Sequence, residues 1–201
     1  IGTSSVKAVL LDENQSHVGS ATSGLTVERP HPSWSEQDPE SWWTACETVM
    51  DELAASYPAQ MASVRGIGLS GHMHGATLLG ADDKPLRPCI LWNDGRSAKQ
   101  CEELERAEPK FLTLGGNRVM PGFPAPKLQW VRENEPDIFA KVAKVLLPKD
   151  YVRLKLTGDH VGDMSDSAGT LWLDVAARDW SDELLAATGL SRQHMPRLVE
   201  G

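Results

Sequence analysis

Residues 65–96 place three short apolar runs close together, which are followed by serine, by glycine and by the segment Trp-Asn-Asp. The runs are Gly66–Leu69, Ala76–Leu79 and Cys89–Leu91. Short apolar runs bounded in this way are typical of buried strands, because a helix needs a longer periodic segment. A polar turn over 81–84 separates the second run from the third, so we predict three neighbouring strands with polar residues at their ends.

Two of these predicted strand ends carry residues suited to a small polar ligand. The segment SGHMHG (70–75) follows the first run, and its glycines let the backbone approach a ligand without a Cβ in the way. The third run delivers Trp-Asn-Asp (92–94) to its end. A flat aromatic beside several polar groups can orient a sugar, so we predict a sugar-sized site. Asp94 is followed two residues later by Arg96, and a simple salt bridge between them is the alternative explanation of these charged residues.

The rest of the chain alternates strand-like and helix-like patterns. Residues 1–28 indicate an antiparallel meander that starts at a Gly-Thr-Ser-Ser turn, which is either a phosphate cradle or an ordinary hairpin turn. Asp38 before Pro39 predicts the start of a helix over 40–56 with Trp43 in its buried stripe. The same criteria predict the following further elements: helices over 97–107, 126–133, 151–156 and 181–188, and a strand over 141–147.

Two segments are less regular. Residues 115–127 are rich in glycine and proline and are suited to a lid or a wall of the site. The loop 163–167 has the spacing of a cation loop, but it lacks the glycine and distant glutamate of an EF-hand, so a network of side-chain-to-backbone turns is preferred. Asp150 is predicted to cap the helix that follows it. The whole pattern predicts an α/β domain with a mixed sheet flanked by helices.

Composition narrows the classes of partner. A net charge of −8 and an isoelectric point near 5.2 argue against a broad surface for nucleic acid or anionic membrane. No apolar run approaches the roughly 20 residues that cross a bilayer. The three cysteines lack a Cys-x-x-Cys spacing, which fits free thiols in a reducing cytoplasm better than a disulfide framework. The length of 201 residues fits one domain.

Metal and nucleophile chemistry have little support. His72 and His74 are two residues apart, as zinc ligands on a strand can be, but no glutamate or cysteine stands at a companion spacing. No Gly-x-Ser-x-Gly elbow occurs. We therefore predict no metal ligand and favour hydrogen bonding from His74 to a hydroxyl-rich molecule. A metal-dependent hydrolase built on His72, His74 and Asp94 is kept as an alternative.

The chain resembles the amino-terminal domain of the FGGY carbohydrate kinases over essentially its whole length. The resemblance rests on an ordered set of segments at compatible spacings: IGTSSVK, RPHPSWSEQDPESWW, SGHMHGATLL, ILWNDGR, MPGFPAPKLQWV, LLPKDYVRLKLTG and DMSDSAGTLWLDVAARDWS. Each segment alone is weak, whereas the ordered set is highly specific. Within the family, the segments are most similar to those of the members that phosphorylate D-xylulose.

This resemblance implies an actin-like, ribonuclease-H-like fold, in which two domains close over a sugar and ATP and phosphate passes to the 5-hydroxyl of xylulose. It implies ATP with Mg²⁺ on the phosphates, and a small-molecule sugar as the partner. A homodimer is left open. It places the following residues near the sugar: Met73, His74, Trp92, Asn93 and Asp94. It assigns three residues to the first phosphate loop: Gly2, Thr3 and Ser4.

Departures from the family pattern shape the expected activity. The family has an aspartate just before the position of Ile1 and a catalytic-base aspartate after the position of Gly201. We therefore expect residues 1–201 to be a sugar-binding domain cut at both ends, lacking the ATP-binding domain and inactive alone. His72 stands where we expect glutamine, so the substrate is D-xylulose or another pentulose or polyol. A non-catalytic sugar-binding or regulatory module is the alternative from another functional class.

Overall fold

The computed structural model describes residues 1–201. The strands, in chain order, are β1 Ser5–Leu11, β2 His17–Gly24, β3 Glu36–Gln37, β4 Thr77–Leu79, β5 Cys89–Ile90, β6 Lys144–Leu146, β7 Val161–Asp163, β8 Leu173–Asp174, β9 Asp179–Trp180 and β10 Arg197–Val199. The α-helices are α1 Pro39–Ser56, α2 Pro58–Met61, α3 Ala98–Ala107, α4 Lys110–Thr113, α5 Pro124–Asn134, α6 Pro136–Phe139, α7 Pro148–Thr157, α8 Met164–Ser167 and α9 Asp182–Ala187. None of these helices combines the length and the apolar character that are needed to span a membrane.

The amino-terminal hairpin and α1 form one packed unit. β1 pairs antiparallel with β2, with Ser5 opposite Gly24, as the sequence predicted. α1 starts after Asp38, whose carboxylate accepts a hydrogen bond from the Glu40 amide at 3.0 Å, and Pro39 occupies the first turn. Between hairpin and helix lies a small core of six buried side chains: Val6, Leu10, Ala21, Ala45, Val49 and Leu53.

The buried stripe of α1 differs from the prediction by one residue. Trp42 is fully buried, whereas Trp43, the predicted core residue, is only half-buried. Adjacent residues point about 100° apart on a helix of 3.6 residues per turn, so two neighbouring tryptophans cannot share the buried face equally. Trp42 faces inward with its polar atom satisfied, because its indole N–H donates to Gln37 Oε1 at 2.7 Å.

The central strands form short ladders of mixed direction. β3 pairs antiparallel with β5, and β4 pairs antiparallel with β6. A single bridge between Ala76 and Ile90 joins these ladders, which sets β4 beside β5. β7 and β10 pair in parallel, and β8 and β9 pair antiparallel. The strands predicted over 76–79, 89–91 and 141–147 are therefore present, each somewhat shorter than predicted.

The strand predicted over Gly66–Leu69 is wrong. Residues 64–69 join no strand ladder, and Ile67 is 57% exposed. Main-chain pairing resumes just beyond, where the Ile1 amino group donates to the Ser70 carbonyl at 2.6 Å and the His72 amide donates to the Ile1 carbonyl at 2.8 Å. A strand requires a hydrogen-bonded neighbour, and within residues 1–201 no segment runs alongside 64–69.

Prolines start two helices earlier than predicted. α5 begins at Pro124 instead of Pro126, and α7 begins at Pro148. Asp150 consequently lies inside the first turn of α7, so its predicted role as the cap is wrong. Its carboxylate instead accepts a hydrogen bond from Lys149 Nζ at 3.0 Å. The predicted end of α7 is confirmed, because Gly158 there has a left-handed φ of 76°.

The larger core lies between α3, α5 and the carboxyl-terminal segment, and its buried members include Phe111, Leu128, Trp172 and Trp180. Both indole groups have partners. Trp172 donates to Thr188 Oγ1 at 3.0 Å, and Trp180 donates to the Pro196 carbonyl at 2.9 Å. This core fixes α5, whose amino-terminal half faces the loops at the predicted strand ends.

Replacing Leu128 by alanine should lower the free energy of unfolding by about 2–5 kcal/mol, because the side chain is fully buried and its loss leaves a cavity. Urea unfolding measures the change. Leu112→Ala is the matched control, since Leu112 is 59% exposed and its truncation should cost less than about 1 kcal/mol. Similar losses in both variants would contradict the assignment of α5 to the core.

Candidate functional site

Three separate segments meet where the site was predicted: the turn 1–4, the loop 70–75 and the strand end 92–94. Ile1 is hydrogen-bonded to the loop through Ser70 and His72. The Trp92 indole N–H donates to Thr3 Oγ1 at 3.1 Å, which ties the strand end to the turn. The structure thus brings the predicted phosphate turn and both predicted sugar-binding segments together.

The loop 70–75 follows a narrow path that requires its two glycines. A Cβ on Gly71 would lie 3.0 Å from Lys149 Cβ. A Cβ on Gly75 would lie 2.5 Å from Pro148 Cγ. Both contacts are with the first turn of α7, so any larger residue at these positions would push the loop away from that helix.

His74 is held from several sides. Its φ of 64° is left-handed, which is uncommon for a residue other than glycine. The imidazole packs on the Phe123 ring at 4.4 Å, and a Cβ on Gly169 would come within 2.5 Å of His74 Nε2. Burial, and then the nearby charge of Lys127, lower the pKa of His74 to about 4. At neutral pH the ring is therefore uncharged, with one donor and one acceptor nitrogen for a hydroxyl group.

His72 points away from His74 and toward α1. Its ring contacts Trp42 edge-on at 5.4 Å, and neither buried ring nitrogen completes a hydrogen bond, although the Met73 main chain lies close. Burial is the main cause that lowers the pKa of His72 to about 4. The two histidines do not share a ligand position, and no group of three His, Cys, Asp or Glu residues is placed to hold a metal ion. This geometry gives no support to the hydrolase alternative.

The accessible side chains at the junction are a mixture of apolar and polar groups. Met73 is 45% exposed and Trp92 is 41% exposed, and Asn93 is also exposed. The predicted wall segment reaches them, because a Cβ on Gly122 would lie 2.7 Å from the Trp92 carbonyl oxygen. An open apolar surface next to an amide can pack on the carbon face of a sugar and bind its hydroxyls.

Asp94 is buried and fully engaged. Its carboxylate accepts hydrogen bonds from the Ser35 amide at 2.6 Å and from Arg96 Nε at 2.9 Å and Nη2 at 2.7 Å. Arg96 also pairs with Glu36 at 2.7 Å and stacks under Trp34 at 3.8 Å. The salt bridge considered from the sequence is thus present, as part of a larger buried network that fixes the strand end.

That network extends to α5 and α6 through Arg87. Arg87 Nη2 donates to Glu36 Oε1 at 2.6 Å, and Arg87 Nε lies 2.9 Å from Glu135 Oε2. Glu36 therefore forms ion pairs with two buried guanidinium groups. No local sequence pattern links Glu36 to these arginines, because both lie more than fifty positions further along the chain.

Two buried lysines near the loop 70–75 were not anticipated. Lys149 Nζ lies 2.8 Å from both Asp163 Oδ2 and Asp166 Oδ2 and 3.0 Å from Asp150 Oδ1. The acidic loop is therefore organised around an ammonium group. The predicted side-chain-to-backbone turn is confirmed, since Asp163 Oδ1 accepts from the Asp166 amide at 2.9 Å. The second lysine, Lys127, lies in an apolar stretch of α5, which was the one local signal of an unusual role.

The turn 1–4 has free donors where a phosphate would need them. The Gly2 amide closes the turn by donating to the Ser5 carbonyl at 2.8 Å, and a Cβ on Gly2 would lie 3.1 Å from that oxygen. The Thr3 and Ser4 amides donate to no protein acceptor. Gln37 Nε2 stabilises the turn by donating a hydrogen bond to the Thr3 carbonyl at 2.9 Å. Unpaired amides in a tight turn fit an anionic oxygen.

Residues 1–201 match the family model described as the FGGY family of carbohydrate kinases, N-terminal domain. The chain belongs to this family. It is 55% identical over 201 residues to a xylulose kinase of Escherichia coli (strain K12), covering all of this chain and 41% of that protein. It is 57% identical to a xylulose kinase of Klebsiella pneumoniae with the same coverage. The chain thus spans about two fifths of the length of these relatives.

A solved structure supports the same conclusion for the fold. The crystal structure of a protein described as a xyloylose kinase from Brucella ovis has a TM-score of 0.98 and 61% identity, covering all of this chain and 42% of that one. The predicted α/β, actin-like fold of an FGGY amino-terminal domain is therefore confirmed. The loop 70–75 and the strand end 92–94 are thus parts of an FGGY amino-terminal domain.

Glu36→Gln in this FGGY domain should lower the free energy of unfolding by about 1–3 kcal/mol, because Arg87 and Arg96 lose their shared buried anion while each keeps a second carboxylate. Chemical denaturation at pH 7 measures the loss. The control Glu103→Gln removes an exposed pair with Lys99 and should change stability by less than about 0.5 kcal/mol. Equal effects of the two substitutions would show that the buried network contributes no more to the free energy of unfolding than an exposed ion pair does.

Acid should weaken the domain partly through His72. Its pKa is about 4 in the folded chain against an ordinary value of 6.5, so the unfolded state binds more protons between these values and stability falls as pH is lowered from 6.5 to 4. His72→Gln should lose less stability between pH 7 and pH 5 than the parent, as measured by urea midpoints. His17→Gln, at an exposed position, should follow the parent. Parallel curves for all three proteins would refute this origin of the acid sensitivity.

Proposed function

We propose that the full-length protein is an ATP-dependent kinase that transfers phosphate to the 5-hydroxyl of D-xylulose, and that residues 1–201 supply its sugar-binding surface. One observation carries the proposal: the loop 70–75 and the strand end 92–94 converge on the turn 1–4, so a sugar and a phosphate would lie side by side. The similarity to xylulose kinases supports D-xylulose as the sugar.

The sugar contacts follow from the accessible side chains. His74 offers a neutral donor and acceptor to hydroxyl groups on a ring that is already packed in place. Met73 and Trp92 offer apolar surface to the carbon skeleton, and the Asn93 amide adds a further polar contact. Asp94 contributes by fixing the strand end, because its carboxylate is already occupied by Ser35 and Arg96.

The phosphate is assigned to the turn formed by Gly2, Thr3 and Ser4, on the strength of its two free amides. When bound, ATP would supply the phosphoryl group and Mg²⁺ would offset the charge on its phosphate oxygens. We assign no Mg²⁺ ligand and no catalytic residue within residues 1–201. The general base that accepts the proton of the sugar hydroxyl is proposed to be an aspartate of the second domain, as the family resemblance implies.

The closest competing substrate is another pentulose or a polyol, and His72 is the observation that favours it. It belongs to the same loop as Met73 and His74, and its ring nitrogens have no hydrogen-bond partner. A histidine where glutamine is expected differs in shape, and this difference would act on the sugar through the backbone of the loop. A cytoplasmic location is also proposed, since all three cysteines are free thiols.

A homodimer is a further possibility for the full-length protein, and light scattering on the purified protein would test for it.

The test is a kinase assay of the full-length protein with ATP and a panel of ketopentoses and polyols, with the product identified by NMR. D-xylulose should be the preferred substrate. His74→Ala should raise its KM about tenfold, the order expected for one or two lost hydrogen bonds, with a smaller change in kcat. His17→Ala, at an exposed position of β2, is the matched control and should leave both constants unchanged.

Two results would contradict the proposal. Binding of xylulose without phosphorylation of any substrate in the panel would favour the non-catalytic sugar-binding module. Phosphorylation of xylulose with an unchanged KM in His74→Ala would remove His74 from the sugar site and assign it a purely structural role.

A further inference from the structure

Lys127 is a fully buried cation with a single directed contact. Its side chain lies on α5, and Nζ donates to the His74 carbonyl at 2.7 Å. No carboxylate lies within ion-pair distance of Nζ. A lysine ammonium has three donors, and burying it without a counter-ion is unfavourable, so its retention here calls for a specific role.

The charged and ionisable neighbours of Lys127 do not explain its position. They are Cys89 on β5, and Asp94 and Arg96 at the end of that strand. Asp94 is the only anion among them that could compensate the ammonium, but both of its oxygens are held by Arg96. Burial accordingly lowers the pKa of Lys127 to about 7. The hydrogen bond from Lys127 Nζ to the His74 carbonyl is therefore its one directed interaction.

That contact is made to a residue in an unfavourable backbone conformation. A left-handed φ at a residue other than glycine costs roughly 1 kcal/mol or more and persists only when its surroundings hold it. The hydrogen bond from Lys127 fixes the carbonyl of this residue. Phe123, one helical turn earlier at the start of α5, packs on the imidazole of the same residue. One helix end therefore holds both the backbone and the ring of His74.

We propose that Lys127 is a positioning residue for sugar binding: it holds the His74 main chain in its left-handed conformation, so that the imidazole faces the sugar. Lys127 itself touches neither sugar nor phosphate and takes no part in proton or phosphoryl transfer. The proposal rests on the function proposed for the full-length protein. It adds a role for a side chain that contributes no exposed surface to the site.

The test is a double-mutant cycle in the full-length protein. Lys127→Met keeps a long, unbranched apolar side chain and removes the ammonium group. It should raise the KM for D-xylulose about tenfold and change kcat much less, because it acts through a binding residue. In the His74→Ala background the same substitution should change KM less than about twofold, since no imidazole remains to be positioned. Lys99→Met, exposed on α3, is the matched control and should leave KM unchanged.

A structural role alone would give a different pattern. Lys127→Met would then lower the melting temperature and raise KM by the same factors with and without His74, and that additivity would overturn the proposal. If Lys127→Met does not fold, Lys127→Gln, which keeps a donor on a shorter side chain, enters the same cycle and is judged by the same criterion.

A measurement without substrate separates this proposal from the proposed function. Amide hydrogen exchange over residues 72–75 should speed up at least tenfold in the Lys127 variant while exchange in α1 stays unchanged, because only the loop has lost its anchor. Unchanged exchange in the loop would refute the positioning role even if the protein is a xylulose kinase. Faster exchange in a protein that phosphorylates no sugar would refute the proposed function and keep Lys127 as the anchor of the loop.

Discussion

Burial of positive charge is the constraint on which the candidate site depends. Arg87, Arg96, Lys127 and Lys149 are largely buried around the three converging segments. An isolated charge in a protein interior costs several kcal/mol, so each of these cations must have its partner in a fixed position. Two of the partners belong to the segments that form the site: Asp94 binds Arg96 and the His74 carbonyl binds Lys127, so satisfying these two cations helps to place the strand end and the loop.

The consequence is a division between side chains that hold the site and side chains that are free to bind. Glu36, Asp94 and the Asp163–Asp166 loop are committed to the buried cations. Met73, Trp92 and Asn93 remain exposed on the resulting frame. A site organised in this way loses little conformational entropy when a ligand binds, because its loops are ordered before binding. Under the proposed function, the electrostatic network would act on sugar affinity without any of its charges contacting the sugar.

Local rules were enough to predict the elements whose causes are local. Asp38 before Pro39 predicted the start of α1, and Gly158 predicted the end of α7, because capping depends on a few neighbouring residues. The proximity of 70–75 to 92–94 was predicted from adjacent strands, but the strand at 66–69 is absent, and the two segments are joined instead through the turn 1–4. The ordered family segments added the fold, which periodicity alone gave only as an α/β class.

The remaining features depend on partners far away in the sequence. Residues 66–69 have the composition of a strand, but no neighbour pairs with them, and composition cannot show whether a neighbour is present. The choice of Trp42 over Trp43 depends on an acceptor from Gln37, which no helical periodicity reveals. The contact of Lys127 could not be predicted from local patterns, because its acceptor lies 53 positions earlier in the chain.

The glutamine that the family resemblance implies at position 72 and the histidine present there have similar hydrogen-bonding chemistry. Burial lowers its pKa to about 4, so the ring is neutral at physiological pH and presents one donor and one acceptor. A glutamine side chain at the same depth would also present a donor and an acceptor, without titrating. The two residues therefore offer the same kinds of hydrogen bond to the loop, and they differ in shape and in the response to acid. Since the ring faces Trp42 instead of the open junction, any effect on sugar selection has to pass through the backbone of the loop that His72 shares with Met73 and His74.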